Sequence, residues 1–420
     1  MSLLAEWLQT KCSANVWVYI KRLSANDTGA TRSHQSGLYM PGAVIDELFP
    51  SLRDTQLRNP EALFSVHVSS HPDCPDLDDV RAIYYNNKFF GGTRDEKRLT
   101  GFGRKNPLQN PENTGALALL AFDHVPGTSS SYCDVWVCKD LTEEDILEPI
   151  IGEVIPGATI FGPGFKLIGG FFTENAPGRT KYKLPPEWAH YFPSGREIIS
   201  FAACHYDRTT DDPDSQLTRR RKIEFEIFLA VEELHVLGQI AEGFATVNDF
   251  ISLANSVSNR RKSRAGKSLE LHLESLFKEH GATSFETQAI TEGKKKPDFI
   301  FPSGAAYHDP DYPAERLRML GVKTTCKDRW RQVLNEADRI DTIHLFTVQQ
   351  GVSVAQFREM QSEGIRLVVP VGLHKAFPEE IRGELMSLSA FIDEIKNSIG
   401  DIPPHLARVV CAWDDTSTDI

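Results

Sequence analysis

Pro297-Asp298-Phe299-Ile300-Phe301, then Met319-Leu320-Gly321-Val322-Lys323-Thr324-Thr325, then Glu336 decide how the second half of this chain folds. The two apolar runs have the composition of short buried strands, one beginning at an acid and the other ending at a lysine. Trp330, Val333, Leu334, Ala337 and Ile340 recur at helical spacing, which predicts a helix carrying Glu336. Two such strands side by side would bring Asp298 and Lys323 to one edge of a sheet, and a helix across that edge would add Glu336. Around this centre, 216–240 and 266–280 read as helices. The strands Ile343-His344-Leu345-Phe346 and Leu367-Val368-Val369 alternate with helices near 353–362, 378–386 and 388–398. That alternation predicts an α/β layer with a central sheet.

Acid, lysine and acid in this order suit metal-dependent phosphodiester hydrolysis. Asp298 and Glu336 offer the hard oxygens that Mg2+ takes from protein, with waters and phosphate completing its octahedron. Lys323 would place positive charge beside the phosphate. Upstream, residues 259–267 are dense in base and run into the apolar stripe of Leu269, Leu273, Leu276 and Phe277. Glu270 borders that stripe, either as a further carboxylate at the same edge or as a solvated helix glutamate.

With 420 residues the chain has room for roughly two or three domains, each able to bury a core. Its formal net charge of -12 argues against a polyanion partner only if charge is spread evenly. It is not. Arg219-Arg220-Arg221-Lys222, residues 260–267 and Lys294-Lys295-Lys296 are local basic runs, while acid collects at 140–148, 210–214 and the last residues. The seven cysteines, an odd number without a Cys-x-x-Cys pair, predict reduced thiols in a cytoplasm and no zinc site. Cys326 reads as a strand-end packing residue. No leader and no run long enough to span a bilayer is read, so a cytoplasmic protein without membrane attachment is expected.

Residues 1 to about 170 read as strands and loops, as in Trp17-Val18-Tyr19-Ile20, Phe64-Ser65-Val66-His67-Val68 and Val135-Trp136-Val137. An all-β barrel with a few short helices is expected there. Residues 171–214 are rich in Pro, Gly and Asp, which predicts a protease-sensitive linker with at most short elements. From about 402 an acidic tail is expected to be disordered.

Long runs of this chain closely resemble the EcoRII-type restriction endonucleases. They include residues 18–31, Pro111-Glu112-Asn113-Thr114-Gly115-Ala116 and 151–158 in the first half, and 253–270, 287–301 and 322–338 in the second. The resemblance implies a multidomain fold. An N-terminal all-β, B3-like DNA-binding pseudobarrel (1–170) would be joined by a linker (171–214) to a C-terminal α/β restriction-endonuclease-like catalytic domain of the PD-(D/E)xK class (215–402), with a tail at 403–420. It implies Asp298, Lys323 and Glu336 as catalytic residues, Asp298 and Glu336 as Mg2+ ligands, and Glu270 and Tyr307 as supports. Tyr307, expected in a loop, would position water or phosphate.

It also implies that Lys327, Asp328 and Arg329 read C·G pairs, since Lys and Arg suit guanine acceptors and Asp accepts from cytosine amines. Asp328 sits equally well as a helix N-cap. Arg221 and Phe225, four apart on one helix face, are the candidates for stacking on an extruded base, with a core phenylalanine as the competing reading. Two arms of the first domain would enter the major groove. One is loop 21–35, with Lys21, Arg22 and His34. The other is loop 91–104, with Arg94, Glu96, Lys97, Arg98 and Arg104.

What the resemblance implies is a type IIE endonuclease, a homodimer that cuts double-stranded CCWGG (W is A or T) before the first C. A second copy of the site, bound by the first domain, would stimulate it. A cognate cytosine methyltransferase would accompany it. Two other readings stand beside this one. They are a structure-selective repair or recombination nuclease and a non-catalytic DNA-binding regulator.

Overall fold

The computed structural model describes residues 3–30, 37–54, 56–151, 154, 159–167, 182–206, 212–327, 329–334 and 336–399. His34, Asp328 and the tail from 401 lie outside them, as do the linker residues 171–181 and 207–211.

In the first half eight strands form one sheet. In chain order they are β1 (Val16–Arg22), β2 (Leu38–Tyr39), β3 (Glu61–Val68), β4 (Leu77–Tyr85), β5 (Glu96–Thr100), β6 (Leu117–Asp123), β7 (Tyr132–Val137) and β8 (Ile160–Pro163). Their spatial order is β2-β5-β4-β3-β7-β6-β1-β8, antiparallel except where β3 meets β7. Leu117-Ala118-Leu119-Leu120-Ala121-Phe122 of β6 is buried throughout, as a strand covered on both faces must be. Alternation sends Ala118, Leu120 and Phe122 into a core with Phe49, Phe64 and Leu99, and Leu117, Leu119 and Ala121 into a second with Leu4, Trp7 and Trp136. Helices α1 (Leu3–Lys11), α2 (Gly42–Leu48), α3 (Leu141–Ile151) and α4 (Gly164–Leu167) accompany the sheet. The acidic stretch at 140–148 is therefore largely helix. Its Glu144 is buried, accepting from Arg22 and from the Leu117 amide.

Part of the expected linker is ordered. Helix α5 (Gly195–Cys204) is closed by a capping box between Ser194 and Glu197. It packs through Ile198 and Ala202 against Ile227, Phe228 and Val231 of α6 (Pro213–Glu242). Asp214 ties the start of α6 to the rest of the domain, accepting from the amides of Val371, Leu388 and Ser389 at 2.9–3.0 Å. Helix α7 (Val247–Glu279) begins at a second capping box, Thr246 with Asp249, and runs without a break through the basic stretch into Phe277. The helix expected at 266–280 is thus twice as long. Within 259–267 arginine, lysine and alanine favour helix and Gly266 is the main exception, and Arg261 and Arg264 pair with Glu232 and Glu224 on α6.

The second sheet has the order β13-β12-β11-β10-β9. Its strands are β9 (Glu286–Thr287), β10 (Phe299–Phe301), β11 (Arg318–Val322), β12 (Ile343–Phe346) and β13 (Ile365–Val368). The pairs β11/β12 and β12/β13 are parallel and the other two antiparallel. One face carries Ile300, Met319 and Leu345, the other Phe299, Phe301, Leu320 and Phe346. Phe277 of α7 meets Phe299 and Phe301 edge-on at 5.3 and 5.5 Å, so the apolar stripe seen in the sequence is the one that seats the helix on the sheet. Helices α8 (Gly304–His308), α9 (Val354–Ser362), α10 (Glu379–Arg382) and α11 (Leu388–Ile399) complete the layer. The helix expected over 378–386 stops at Arg382, because Met386 is drawn to the sheet and its amide bonds Leu367 O.

Among the described residues no helix is long and apolar enough to cross a membrane. The six cysteines among them are free thiols.

Candidate active site

Strand pairing places the acid and the lysine together. Asp298 immediately precedes β10 and Lys323 immediately follows β11, the strand β10 pairs with. The Asp298 carboxylate accepts from the Val322 amide at 2.6 Å and from Lys323 Nζ at 3.2 Å through Oδ2, and from Gln288 Nε2 at 3.2 Å through Oδ1. The Lys323 amide donates to Phe346 O at 3.0 Å, anchoring that end of β11 to β12. Both side chains are mostly covered.

Two glutamates face this pair. Burial pushes the Glu270 carboxyl up to about 7, reinforced by the Asp298 charge and opposed by Lys267 and Lys323. Burial likewise raises Glu336 to about 7, with Lys323 and Lys295 opposing and Asp298 reinforcing. Among the described residues neither carboxylate accepts a hydrogen bond. Three carboxyl groups therefore share one edge, with Lys323 bonded to Asp298 and the charges of Lys267 and Lys295 acting on the two glutamates, and protons or a cation relieve their mutual repulsion. The hard oxygens of these carboxyl groups fit a divalent ion of the Mg2+ type. Among the described residues no three His, Cys, Asp or Glu side chains converge closely enough to hold a metal ion.

Glu336 reaches the site by an unexpected route. The predicted helix is a 3-10 turn at Trp330–Val333, after which Leu334 is extended. Trp330, Val333, Ala337 and Ile340 are buried as their spacing implies. The Glu336 carbonyl, which a helix would bond to its own residue 340, is taken instead by Thr291 Oγ1 at 2.5 Å. Tyr307 also differs from expectation. It is buried in α8, not in a loop, and its hydroxyl donates to Glu292 Oε1 while accepting from the Arg339 amide at 3.3 Å.

The residues expected to read DNA are placed as follows. Lys327 is half-buried, and its amide and that of Cys326 donate to Gln349 Oε1 at 3.0 and 2.7 Å. Arg329 is half-buried in the next turn. Arg221 is buried in α6 near His272, whose ring burial and the charges of Arg221, Arg264 and Arg220 hold neutral. Phe225 is half-buried, with the Arg264 guanidinium 4.6 Å above its ring.

In the first domain Lys21 and Arg22 belong to β1, not to a loop, because that strand stays paired with β6 as far as Arg22 opposite Leu117. Lys21 bonds Asp27 and Tyr39 O, and Arg22 bonds Glu144 and Gly115 O. Loop 91–104 likewise contains β5. Glu96 pairs with both Arg94 and Arg98, the latter buried, and Lys97 pairs with Asp46. Arg104 is exposed in a turn. Gln288 and Thr291 were not legible as site residues, since nothing in their type or spacing marks a side chain that holds an acid in place.

The first half of the chain lies against the loop that follows Lys323. Gly115, Cys138, Lys139, Asp140 and Glu144 share a crevice with Thr325, Lys327 and Gln349. The Ala25 amide donates to Ala376 O at 3.2 Å, and helix α3 packs on α7. Gly115 has a left-handed φ of 85°, and a Cβ there would lie 2.2 Å from Gln349 Nε2.

Known proteins resemble this chain over both halves. Residues 12–164 match the family model described as restriction endonuclease EcoRII, N-terminal, and residues 228–392 match EcoRII C terminal. Over 404 residues the chain is 57% identical to the type II restriction enzyme EcoRII of Escherichia coli, covering 96% of this chain and 100% of that one. Among solved structures, a weaker likeness is to metal-depleted Ecl18kI in complex with uncleaved, modified DNA. That match has a TM-score of 0.43 and 19% identity, over 52% of this chain and 84% of that one.

Proposed function

The chain belongs to the EcoRII family and is a type II restriction endonuclease; on that premise we propose that it cuts double-stranded CCWGG before the first C, using Mg2+ held by Asp298 and Glu336. Membership displaces the repair nuclease and the non-catalytic regulator as readings. The observation that carries the chemistry is the shared edge of Asp298, Lys323, Glu270 and Glu336.

When bound, the cation supplies positive charge to a phosphoryl group whose negative charge grows toward the transition state. Lys323 adds preorganised charge on the same phosphate, its ammonium aimed by Asp298. Asp298 is itself aimed by the Val322 amide and Gln288. Glu270, poised near neutrality, is suited to take the proton of the attacking water. The exposed Lys294, Lys295 and Lys296 extend positive charge from this edge for the DNA backbone.

Plasmid cleavage in Mg2+ with the ends mapped by sequencing tests the specificity. Ends confined to CCWGG are expected, and cuts at another short sequence would overturn the assignment of Lys327, Asp328 and Arg329 as readers.

Because Glu270 and Glu336 hold protons up to about pH 7, cleavage is expected to rise with pH through that range. Protons and the cation compete for the same oxygens, so higher Mg2+ should move the rising limb to lower pH. A limb that stays put across Mg2+ concentrations would remove these carboxylates from the cation's surroundings.

In this reading the first domain (1–170) is the B3-like effector module. Arg94, Glu96, Lys97, Arg98, Arg104, Lys21, Arg22 and His34 are its DNA-contacting candidates, and the linker (171–214) joins it to the catalytic domain (215–402). Most of those side chains are paired internally, so DNA must exchange their partners. The contact of Gly115 with Gln349 beside Lys327 supports a closed state in which the module covers the catalytic edge. A second copy of the site stimulates cleavage only as far as it binds the open state more tightly. A homodimer would place one active site on each strand of the nearly palindromic target, with Arg221 and Phe225 stacking on the extruded central bases. A cytosine methyltransferase would protect the host's own sites.

A further inference from the structure

We propose that Thr291, Glu292 and Tyr307 form a brace that positions Glu336, and that Thr291 is its principal member. The inference rests on the reading of Glu336 as a cation-holding carboxylate, and it gives Tyr307 a positioning role in place of contact with water or phosphate.

The segment that delivers Glu336 has the apolar spacing of a helix but forms short turns, with the Glu336 amide on Val333 O at 3.4 Å and the Ile340 amide on Ala337 O at 3.0 Å. Side chains from 291–307 hold the rest of its backbone. Thr291 Oγ1 lies 2.5 Å from Glu336 O, the Asp338 amide lies 3.4 Å from Glu292 Oε2, and the Arg339 amide lies 3.3 Å from the Tyr307 hydroxyl. Glu292 and Tyr307 are bonded to each other. From the other side the Arg339 guanidinium donates to the carbonyls of Tyr307, Asp309 and Tyr312, closing the segment onto the turn after α8. Backbone groups of Glu336, Asp338 and Arg339 are thus fixed by one cluster.

Thr291 is the most strongly placed member. It is buried, its amide donates to Lys295 O at 2.9 Å, and its hydroxyl also lies 3.3 Å from that carbonyl. One residue therefore sets the Glu336 carbonyl and the turn carrying Lys295, whose charge faces the Glu336 carboxyl. A hydroxyl has one proton to give, and the shorter contact directs it to Glu336. Without it that carbonyl loses its side-chain partner, and the backbone is free to wind toward the helix its apolar spacing favours. The Glu336 carboxyl would then turn away from Asp298. None of the three brace residues needs to touch the scissile phosphate.

The test uses the full-length protein. Thr291→Val keeps the buried volume and removes the hydroxyl, and Thr291→Ser keeps the hydroxyl. Single-turnover cleavage against Mg2+ concentration, DNA binding in EDTA and the thermal midpoint are measured for each. For Thr291→Val, cleavage is expected to slow by about 10- to 100-fold, the usual effect of losing a group that orients a metal ligand, and to demand more Mg2+. Metal-free DNA binding should hold, and Thr291→Ser should cleave close to the parent. Tyr307→Phe should shift the Mg2+ dependence in the same direction, by less. Cleavage by Thr291→Val at the parent rate would overturn the brace, as would a loss that merely tracks the thermal midpoint and is shared by Thr291→Ser. Glu336→Gln, run alongside, separates the two layers. If it cleaves normally, the assignment of Glu336 fails and the brace with it.

Discussion

Lys323→Ala is expected to reduce cleavage of CCWGG DNA by at least about 100-fold, the scale set by removing one preorganised donor from a charge-stabilising site. The ammonium is the cation that the structure holds 3.2 Å from Asp298, at the end of a strand anchored by its own amide. Its loss removes charge from the phosphate and also leaves Asp298, Glu270 and Glu336 crowded without their shared counter-charge. Binding to the same DNA in EDTA should persist, because the proposed reading residues lie on the loop beyond Thr325. Single-turnover cleavage and metal-free binding measured together decide it. Near-parental cleavage would move the catalytic cation elsewhere. Loss of both activities would point to a collapsed edge in place of a missing catalytic group.

The second large effect is expected in the opposite direction. Removing residues 1–181 should raise cleavage of DNA carrying one site by about 5- to 150-fold, the range of ordinary coupling energies between sites. The remainder can keep its fold because, among the described residues, the two halves share no hydrophobic cluster. The clusters around Phe122 and Trp136 draw only on residues up to 167, and those around Phe228, Leu345 and Phe277 only on residues from 182 onward. What the truncation removes is the cover over Lys327, namely Gly115, Lys139, Asp140 and Glu144. His71 senses the same proximity, since burial and the charges of Lys139 and Lys327 depress its pKa. In the full chain, Gly115→Ala should act in the same direction, because its Cβ would strike Gln349 and Gly351 O. Strain at the left-handed φ is present in open and closed states alike, so it cancels from the docking equilibrium. Unchanged single-site cleavage by the truncated protein would refute a closed, inhibited state.

Much of this molecule was legible from residue order. Strands β10 and β11, the stripe Leu269, Leu273, Leu276 and Phe277, and the β-rich first half all follow from short-range periodicity, because period two and period 3.6 report which side of an element is buried. The juxtaposition of Asp298 and Lys323 follows as well, since each sits at the end of an adjacent strand. The family was legible from long matching runs.

What residue order did not determine was how remote segments satisfy one another. Arg22, Arg98 and Arg221 look like solvated bases in the sequence, yet they are buried. Arg22 is turned inward by Glu144 on α3 and Arg98 by the Gly37 carbonyl, both far away in the sequence, with the neighbouring Glu96 pairing Arg98 as well. Glu336 has a helical neighbourhood by spacing, but a hydroxyl from residue 291 takes its carbonyl and the helix does not form. Gly115 is unremarkable by type and acquires its meaning only where Gln349 leaves no room for a side chain. Periodicity sets the inside and outside of each element because burial is a local pattern of apolar area. Hydrogen bonds and ion pairs between elements are short-ranged in space and indifferent to distance along the chain, so only the tertiary structure decides which groups they join.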